Sequence, residues 1–387
     1  MRVLVTGGAG FIGSRLVRKL AGEGAEVTVL DSLSEQIHAG AGFPAELTGA
    51  ASCIKGDIRD RPLLEKLVAN QEVIVHLAAE TGTGQSMYEV AHYEDVNIRG
   101  TALLLDILVK DRPAALKKLI VASSRAVYGE GAYTCRVHGK VFPSAREGAA
   151  MRAGRFEPIC PVCQGEVEVL ATGEDTPFNP SSFYGLTKQV QEQMVLMFAG
   201  ALGISGIALR YQNVFGPGQS LHNPYTGILA IFSNLVRRGQ PINIFEDGEE
   251  SRDFVFVDDV VDATVACAAP AVQGVHSLNV GSGVRTSVLS VAKAIVRHFR
   301  ANVPITVTGD FRVGDIRHNF ADIGRLAALT GFAPRWTFTD GLTAFLGWAE
   351  QHEAEAGFEA SLGELRKRGL MSSAGAGDLT STQTDGR

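Results

Sequence analysis

The chain has 387 residues, 45% hydrophobic and 20% charged, and a formal net charge of −6. This length and composition supply a large core in one large or two fused domains. The absence of a Lys/Arg stripe leaves nucleic acid and membrane surfaces without an electrostatic footprint. No apolar run reaches the roughly 18 residues of a membrane span, and the apolar start runs into a glycine loop instead of a cleavage site, so a cytoplasmic protein with a small-molecule partner is expected.

Short β-branched or Leu-rich runs at Arg2 to Val5, Glu26 to Leu30, Val73 to Leu77 and Lys118 to Ala122 alternate with helical stretches. That alternation predicts stacked βαβ units, an α/β fold with a doubly wound parallel sheet. The first strand enters Thr6-Gly7-Gly8-Ala9-Gly10-Phe11-Ile12-Gly13, and a helix is expected from Ser14. Glycines let the backbone turn sharply and approach a pyrophosphate whose charge sits on the helix N-terminus. Asp31 closes the second strand, eighteen residues after Gly13. Its carboxylate would accept from both ribose hydroxyls and repel a 2′-phosphate, and no arginine lies immediately after it, so the expected dinucleotide is NAD in preference to NADP.

The strand ending at Ala122 delivers Ser123-Ser124-Arg125-Ala126-Val127-Tyr128-Gly129 to the carboxyl end of the sheet, where doubly wound folds bind their ligands. From Gly129 to Pro180 the periodicity stops in a segment rich in Gly, Pro, Arg and Cys, which is read as an insertion over residues 130–180. Within it Cys135-x-x-His138 and Cys160-x-x-Cys163 make two ligand pairs 21 residues apart. Four such ligands leave no open position, so a closed structural zinc site of ribbon or knuckle type is expected, stapling a loop too polar to build its own core. Cys53 and Cys267 lie in apolar sequence and are expected to be buried small hydrophobes.

Helical periodicity resumes over Ser182 to Ala201, and a strand over Gly206 to Arg210 follows. Tyr184 and Lys188, four apart, project from one helix face. There the ammonium and an oxidised nicotinamide would lower the phenol pKa and make Tyr184 a general base. Such a pair is common by chance; with Ser124 to bond a substrate hydroxyl and pass its proton to Tyr184, hydroxyl oxidation by hydride transfer becomes feasible. Beyond residue 220 short strands and helices mix (Ile242 to Phe245, Val255 to Val257, Val288 to Phe299). The expected layout is a cofactor domain over 1–220, a smaller substrate domain over 221–350 with segments returning to the core, and a disordered tail from Met371, whose composition cannot offset ordering entropy.

Together these residues resemble the extended short-chain dehydrogenase/reductase family, in its NAD-dependent nucleotide-sugar epimerase/dehydratase branch, over roughly the first 345 residues. The resemblance implies a Rossmann-type sheet with a mixed α/β substrate domain. It implies Asp57 and Ile58 beside the adenine, Leu77, Ala78 and Ala79 along the cofactor, and Asn97 on the helix crossing beneath it. Asn213, Arg252 and Arg312 match positions that hold the pyrophosphate of a nucleotide sugar, for which forked guanidinium contacts are suited. Arg125-Ala126 after Ser124 looks like the epimerase pattern, whereas 4,6-dehydratases carry Asp-Glu there. At finer grain, Gly84-Gln85-Ser86-Met87-Tyr88, Asn223-Pro224-Tyr225-Thr226-Gly227 and Val313-Gly314-Asp315-Ile316-Arg317-His318 look like the dTDP-L-rhamnose 4-epimerase group. The resemblance further implies tightly bound NAD and a homodimer formed through the helices holding Asn97 to Leu108 and Ser182 to Ala199. The competing readings are a UDP-hexose 4-epimerase, an NAD(P)-dependent ketosugar reductase, against which Asp31 weighs, and a non-catalytic NAD-binding scaffold, against which the intact Ser124, Tyr184 and Lys188 argue.

Overall fold

A computed structural model describes residues 1–38, 40–221, 227–312, 314–354, 363 and 366–373. Its centre is a seven-stranded, all-parallel sheet. In chain order the strands are β1 (Arg2–Thr6), β2 (Glu26–Asp31), β3 (Ser52–Lys55), β4 (Val73–His76) and β5 (Lys118–Ser124). After the insertion, with its short strands β6 (Tyr133–Cys135), β7 (Gly139–Val141) and β8 (Val167–Val169), come β9 (Ser205–Tyr211) and the edge strand Val275–Val280. The spatial order is Val275–Val280, β9, β5, β4, β1, β2, β3. Chain direction across the sheet therefore reverses between β1 and β4, the place where such sheets open a crevice at their carboxyl ends. Strands buried on both faces read as continuous apolar runs; β1, β4 and β5 do so, which is why they stand out in the sequence. The edge strands β3 and Val275–Val280 were not expected. Ser52-Cys53-Ile54-Lys55 has no fully buried residue, and Val275–Val280 buries only its second half.

Two expected boundaries shift. The first helix starts at Phe11, not Ser14. Gly10 takes the N-cap, and the Ser14 amide closes the first turn on the Gly10 carbonyl at 2.9 Å, so the end of the glycine loop is itself helical. Val257, expected in a strand, opens the helix Val257–Ala268 after the strand Ser251–Phe256. The tail also departs from expectation. Met371–Ser373 pairs antiparallel with Asp310–Arg312, main-chain pairing that composition does not reveal; residues 374–387 lie outside the described residues. The second layer of core, on the substrate side, gathers Phe215, Phe254, Phe256 and Phe345 under the helices Ile228–Arg237, Val288–His298 and Phe338–Ala349. Cys267 is buried as expected, but Cys53 is only half-buried.

His76 is locked inside the sheet, bonded to Thr6 Oγ1 at 2.7 Å and Thr101 Oγ1 at 3.0 Å. Burial, with the nearby Lys188, pushes its pKa down to about 3. The unfolded chain, with an ordinary imidazole near 6.5, therefore binds an extra proton between pH 3 and 6.5, and stability rises with pH across that window. We expect urea unfolding to show stability falling as pH drops from 6.5 toward 3, with a shallower slope in His76→Gln.

Candidate active site

One cleft of about 1300 Å³ runs across the carboxyl ends of β1 and β4 and under the substrate side. Gly7, Gly10, Phe11, Ile12, Gly13, Asp31, Asp57, Ile58, Leu77, Ala78 and Ala79 all line it. Gly7 has φ +71°, and a Cβ there would lie 2.7 Å from the Ala78 nitrogen; a Cβ on Gly13 would lie 2.3 Å from the Gly7 carbonyl oxygen. Only glycine lets the loop fold this tightly. The helix that follows has no side-chain cap, so its first amides are available to an anion. These features fit the diphosphate of a dinucleotide.

Asp31 is buried, accepting from the Ala9 amide through Oδ2 and from the Leu33 amide through Oδ1, both at 2.9 Å, with His38 Nε2 3.6 Å from Oδ1. It thereby ties the glycine loop to the end of β2. Asp57 is held by Arg59, whose hydrogen bonds keep its pKa low. Asn97 is different from expectation: it does not line the cleft. It sits in a π-helical turn, Glu94–Arg99. Its amide bonds both main-chain groups of Glu80 (2.8 and 3.1 Å) and Thr187 Oγ1 (3.0 Å). Asn97 therefore joins the segment after β4 to the helix carrying Tyr184 and positions the cleft wall without touching its contents.

The helix Phe183–Leu202 is capped by Ser182 and presents Tyr184 and Lys188 to the cleft beside Ser124. The Tyr184 amide donates to Ser86 Oγ at 2.9 Å, and Lys188 Nζ donates to the Ala122 carbonyl at 2.9 Å. Burial raises the Tyr184 pKa, opposed by its hydrogen bond with Ser124 and by the charge of Arg125. Lys188, whose Nζ lies 5.9 Å from the phenol ring centroid, is itself pushed down by burial to about 7. Ser124 and Arg125 supply the lowering influences on the phenol. Arg125 in turn donates through Nε to Asn213 Oδ1 at 2.8 Å.

On the substrate side Asn213, Arg252 and Arg312 also face the cleft. Arg252 spends its Nη hydrogens on the carbonyls of Ser251, Ile316 and Arg317 and on Asp315, so it organises the 315–317 loop as well as the wall. Arg312 packs over the Phe245 ring at 4.9 Å and keeps a buried Nε without a partner among the described residues. Cleft-lining Gln212 and Gln219 likewise carry buried polar atoms with no hydrogen-bond partner there, and burial pushes the Glu250 carboxyl, 4.0 Å from Arg317, up to about 7. Phe245 and Glu250 were missed: an aromatic ending a strand and an acid in an acidic turn carry no periodic or spacing signal. Asn223 to Thr226 and Val313 lie outside the described residues.

The insertion is not structureless. β7, β6 and β8 form a three-stranded antiparallel sheet, and Gly148–Arg152 is a short helix. Cys135 and His138 flank the β6–β7 turn, and Cys160 and Cys163 flank a second turn in which the Cys160 amide donates to the Gly165 carbonyl. The ligand atoms of all four lie within 4.8 Å of one another. None of residues 130–180 lines the cleft.

The NAD dependent epimerase/dehydratase family pattern matches residues 3–143 and 163–281. The chain belongs to this family. It is an NAD-dependent enzyme. It is 40% identical over 352 residues to a dTDP-L-rhamnose 4-epimerase of Burkholderia thailandensis, covering 90% of this chain and 95% of that protein. It is 33% identical to a UDP-glucose 4-epimerase of Mycolicibacterium smegmatis, covering 88% and 96%. Among solved structures it resembles a UDP-glucuronic acid 4-epimerase of Bacillus cereus in complex with UDP-glucuronic acid and NAD, with TM-score 0.74, 25% identity and coverage of 91% and 99%. It also resembles a UDP-glucose 4-epimerase of Thermotoga maritima with UDP-glucose, with TM-score 0.73, 29% identity and coverage of 91% and 99%. The family match breaks between residues 143 and 163, inside the insertion. No described helix is long and apolar enough to cross a membrane.

Proposed function

We propose that this enzyme is a nucleotide-sugar 4-epimerase interconverting dTDP-L-rhamnose and dTDP-6-deoxy-L-talose. The observation that carries the reading is the convergence of Ser124, Arg125, Tyr184 and Lys188 on the same cleft as the glycine loop. Bound NAD supplies a hydride acceptor that can also return the hydride. Ser124 holds the C4 hydroxyl and Tyr184 takes its proton as the C4–H leaves, giving a 4-keto sugar. Once the keto sugar has turned within the cleft, Tyr184 would give the proton back to O4, the hydride being what bound NAD would return to the other face. The cycle has no net redox change, so NAD need not dissociate. Arg125-Ala126 supplies no acid–base pair for removing water from the sugar, and this disfavours a dehydratase.

Incubation of purified protein without added cofactor, with dTDP-L-rhamnose, UDP-glucose or UDP-N-acetylglucosamine in separate tubes, tests the reading by proton NMR. Appearance of the C4 epimer from dTDP-L-rhamnose alone supports it. Conversion of a UDP-sugar instead moves the substrate, and no change in any tube, while denatured protein still releases NAD, sinks it.

The same reading includes a structural zinc at Cys135, His138, Cys160 and Cys163. The backbone amides of Val137 and His138, with the His138 ring, pull the Cys135 thiol down to about 6, which favours the thiolate a metal requires. The apolar cluster around it has only four buried members, Tyr133, Cys135, Val141 and Cys160, too few to hold a module without a staple. We expect close to one zinc per chain by elemental analysis; well under one in folded, chelator-free protein removes the site. A reducing cytoplasmic setting suits these thiols. A homodimer through the helix Phe183–Leu202 is supported by its exposed Leu186 and Met197.

A further inference from the structure

We infer that the 130–180 insertion is a positioning module for the substrate side of the cleft. In this arrangement the metal clasp fixes Glu130 and Glu157, and these acids with Arg146 hold the 315–318 loop. The inference rests on the zinc reading above.

Glu130 stands five residues before Cys135, and Glu157 three before Cys160, so a clasp that pins the cysteines also limits where the acids can go. Both acids grip the loop. Glu130 Oε2 accepts from the Arg317 amide at 2.8 Å, and Glu157 Oε1 accepts from Arg317 Nε at 2.8 Å. Glu157 Oε2 lies 3.3 Å from His318 Nε2, whose ring bonds Ser251 Oγ through Nδ1 at 2.8 Å. Arg146, from the middle of the insertion, donates to Glu130 at 3.0 Å, to Glu246 at 2.8 Å and to the Asp315 carbonyl at 2.9 Å. The side chains of Arg146 and Arg317 are only 4% and 1% exposed, so each lost acid removes a buried charge-assisted contact, while Arg317 keeps Glu246 at 3.0 Å and Asp247 at 2.7 Å and the loop is loosened without a cation being stranded. Met151 and Phe156 add an apolar grip on Phe311, the neighbour of Arg312.

The loop is the other end of the linkage. Its carbonyls at 316 and 317 and the Asp315 carboxylate are what Arg252 bonds, and Arg252, Arg312 and Asp315 all face the cleft. The insertion contributes no residue to that lining, so its effect on a ligand passes through the loop. Loosening it should weaken the nucleotide-diphosphate end of the substrate and leave the cofactor loop and Tyr184 in place.

The test uses full-length, NAD-loaded protein and two variants. Glu157→Gln keeps every metal ligand, and Cys163→Ser removes an exposed one. Calorimetry with dTDP and with UDP reads the nucleotide end without depending on which sugar is turned over, and amide exchange at residues 314–318 reads the loop without any ligand. We expect Glu157→Gln to keep its zinc and NAD while the Kd rises roughly tenfold, equivalent to about 1.4 kcal/mol. KM for a converted sugar should rise in proportion, kcat should change less than about twofold, and exchange at 314–318 should quicken about tenfold. Cys163→Ser should lose zinc, keep NAD and show the same changes; if it does not fold, Glu157→Gln decides alone. A zinc-free Cys163→Ser protein with wild-type Kd and wild-type exchange overturns the inference, as does an unchanged Glu157→Gln. Should the wild type bind neither dTDP nor UDP, the nucleotide-sugar reading fails and exchange at 314–318 still decides the coupling.

Discussion

Tyr184→Phe is expected to lower turnover by at least ~10³-fold, within the range of removing a positioned acid–base group, while NAD still leaves with the denatured protein in wild-type amount. The ring fills the same space, and Ser124, Arg125 and Lys188 remain; only the proton carrier is lost. Cofactor retention is part of the expectation, because the proposed NAD cradle is the glycine loop with Asp31, which holds Ala9 and Leu33, and none of these touches the phenol oxygen. Near-wild-type conversion by this variant in the NMR assay removes Tyr184 from the mechanism.

The largest stability loss should come from Glu192→Ala. Glu192 lies on the same helix as Tyr184 and is 1% exposed; it pairs with Arg210 of β9, itself 4% exposed, at 2.6 Å. It also accepts from Ser123 at 2.5 Å and from Ser277 at 2.7 Å. Arg210 continues the network to the Tyr128 hydroxyl at 2.7 Å and the Glu174 carbonyl at 3.1 Å. Truncation leaves a guanidinium in the interior without a counter-charge, which costs about 3–5 kcal/mol. Urea unfolding of the NAD-loaded protein measures it, and a loss below about 1 kcal/mol would show that the pair is dispensable. Since Ser123 adjoins Ser124, activity of the surviving folded fraction should fall as well.

The parts legible in the sequence were those with a short-range signature. β1, β4 and β5 announce themselves as buried runs, the glycine loop by close backbone approach, and the two x-x ligand pairs by spacing; the last converge in space although 21 residues separate them. What escaped was set by partners distant in the chain. Asn97 matches a family position, but only the structure shows that it bonds Glu80 and Thr187 instead of reaching the cleft. Arg125, beside Ser124, joins in lowering the Tyr184 pKa, a contribution that helix spacing does not reveal. Edge strands β3 and Val275–Val280 lack the two-faced burial that marks a central strand, and Met371–Ser373 is a strand only because Asp310–Arg312 lies beside it.

The order of strands across the sheet also sets a timetable for synthesis. β9 pairs with β5 on one side, but its other edge waits for Val275–Val280, about 64 residues later in the chain. At roughly 5–20 residues per second the ribosome leaves that apolar edge bare for several seconds, with Ile207 and Leu209 already placed for pairing. An unpaired, flat edge of this kind invites strands from neighbouring nascent chains. Shortened forms of this enzyme ending between β9 and residue 275 should therefore aggregate, even though they contain every residue of the cofactor cradle and the Ser124, Tyr184 and Lys188 trio.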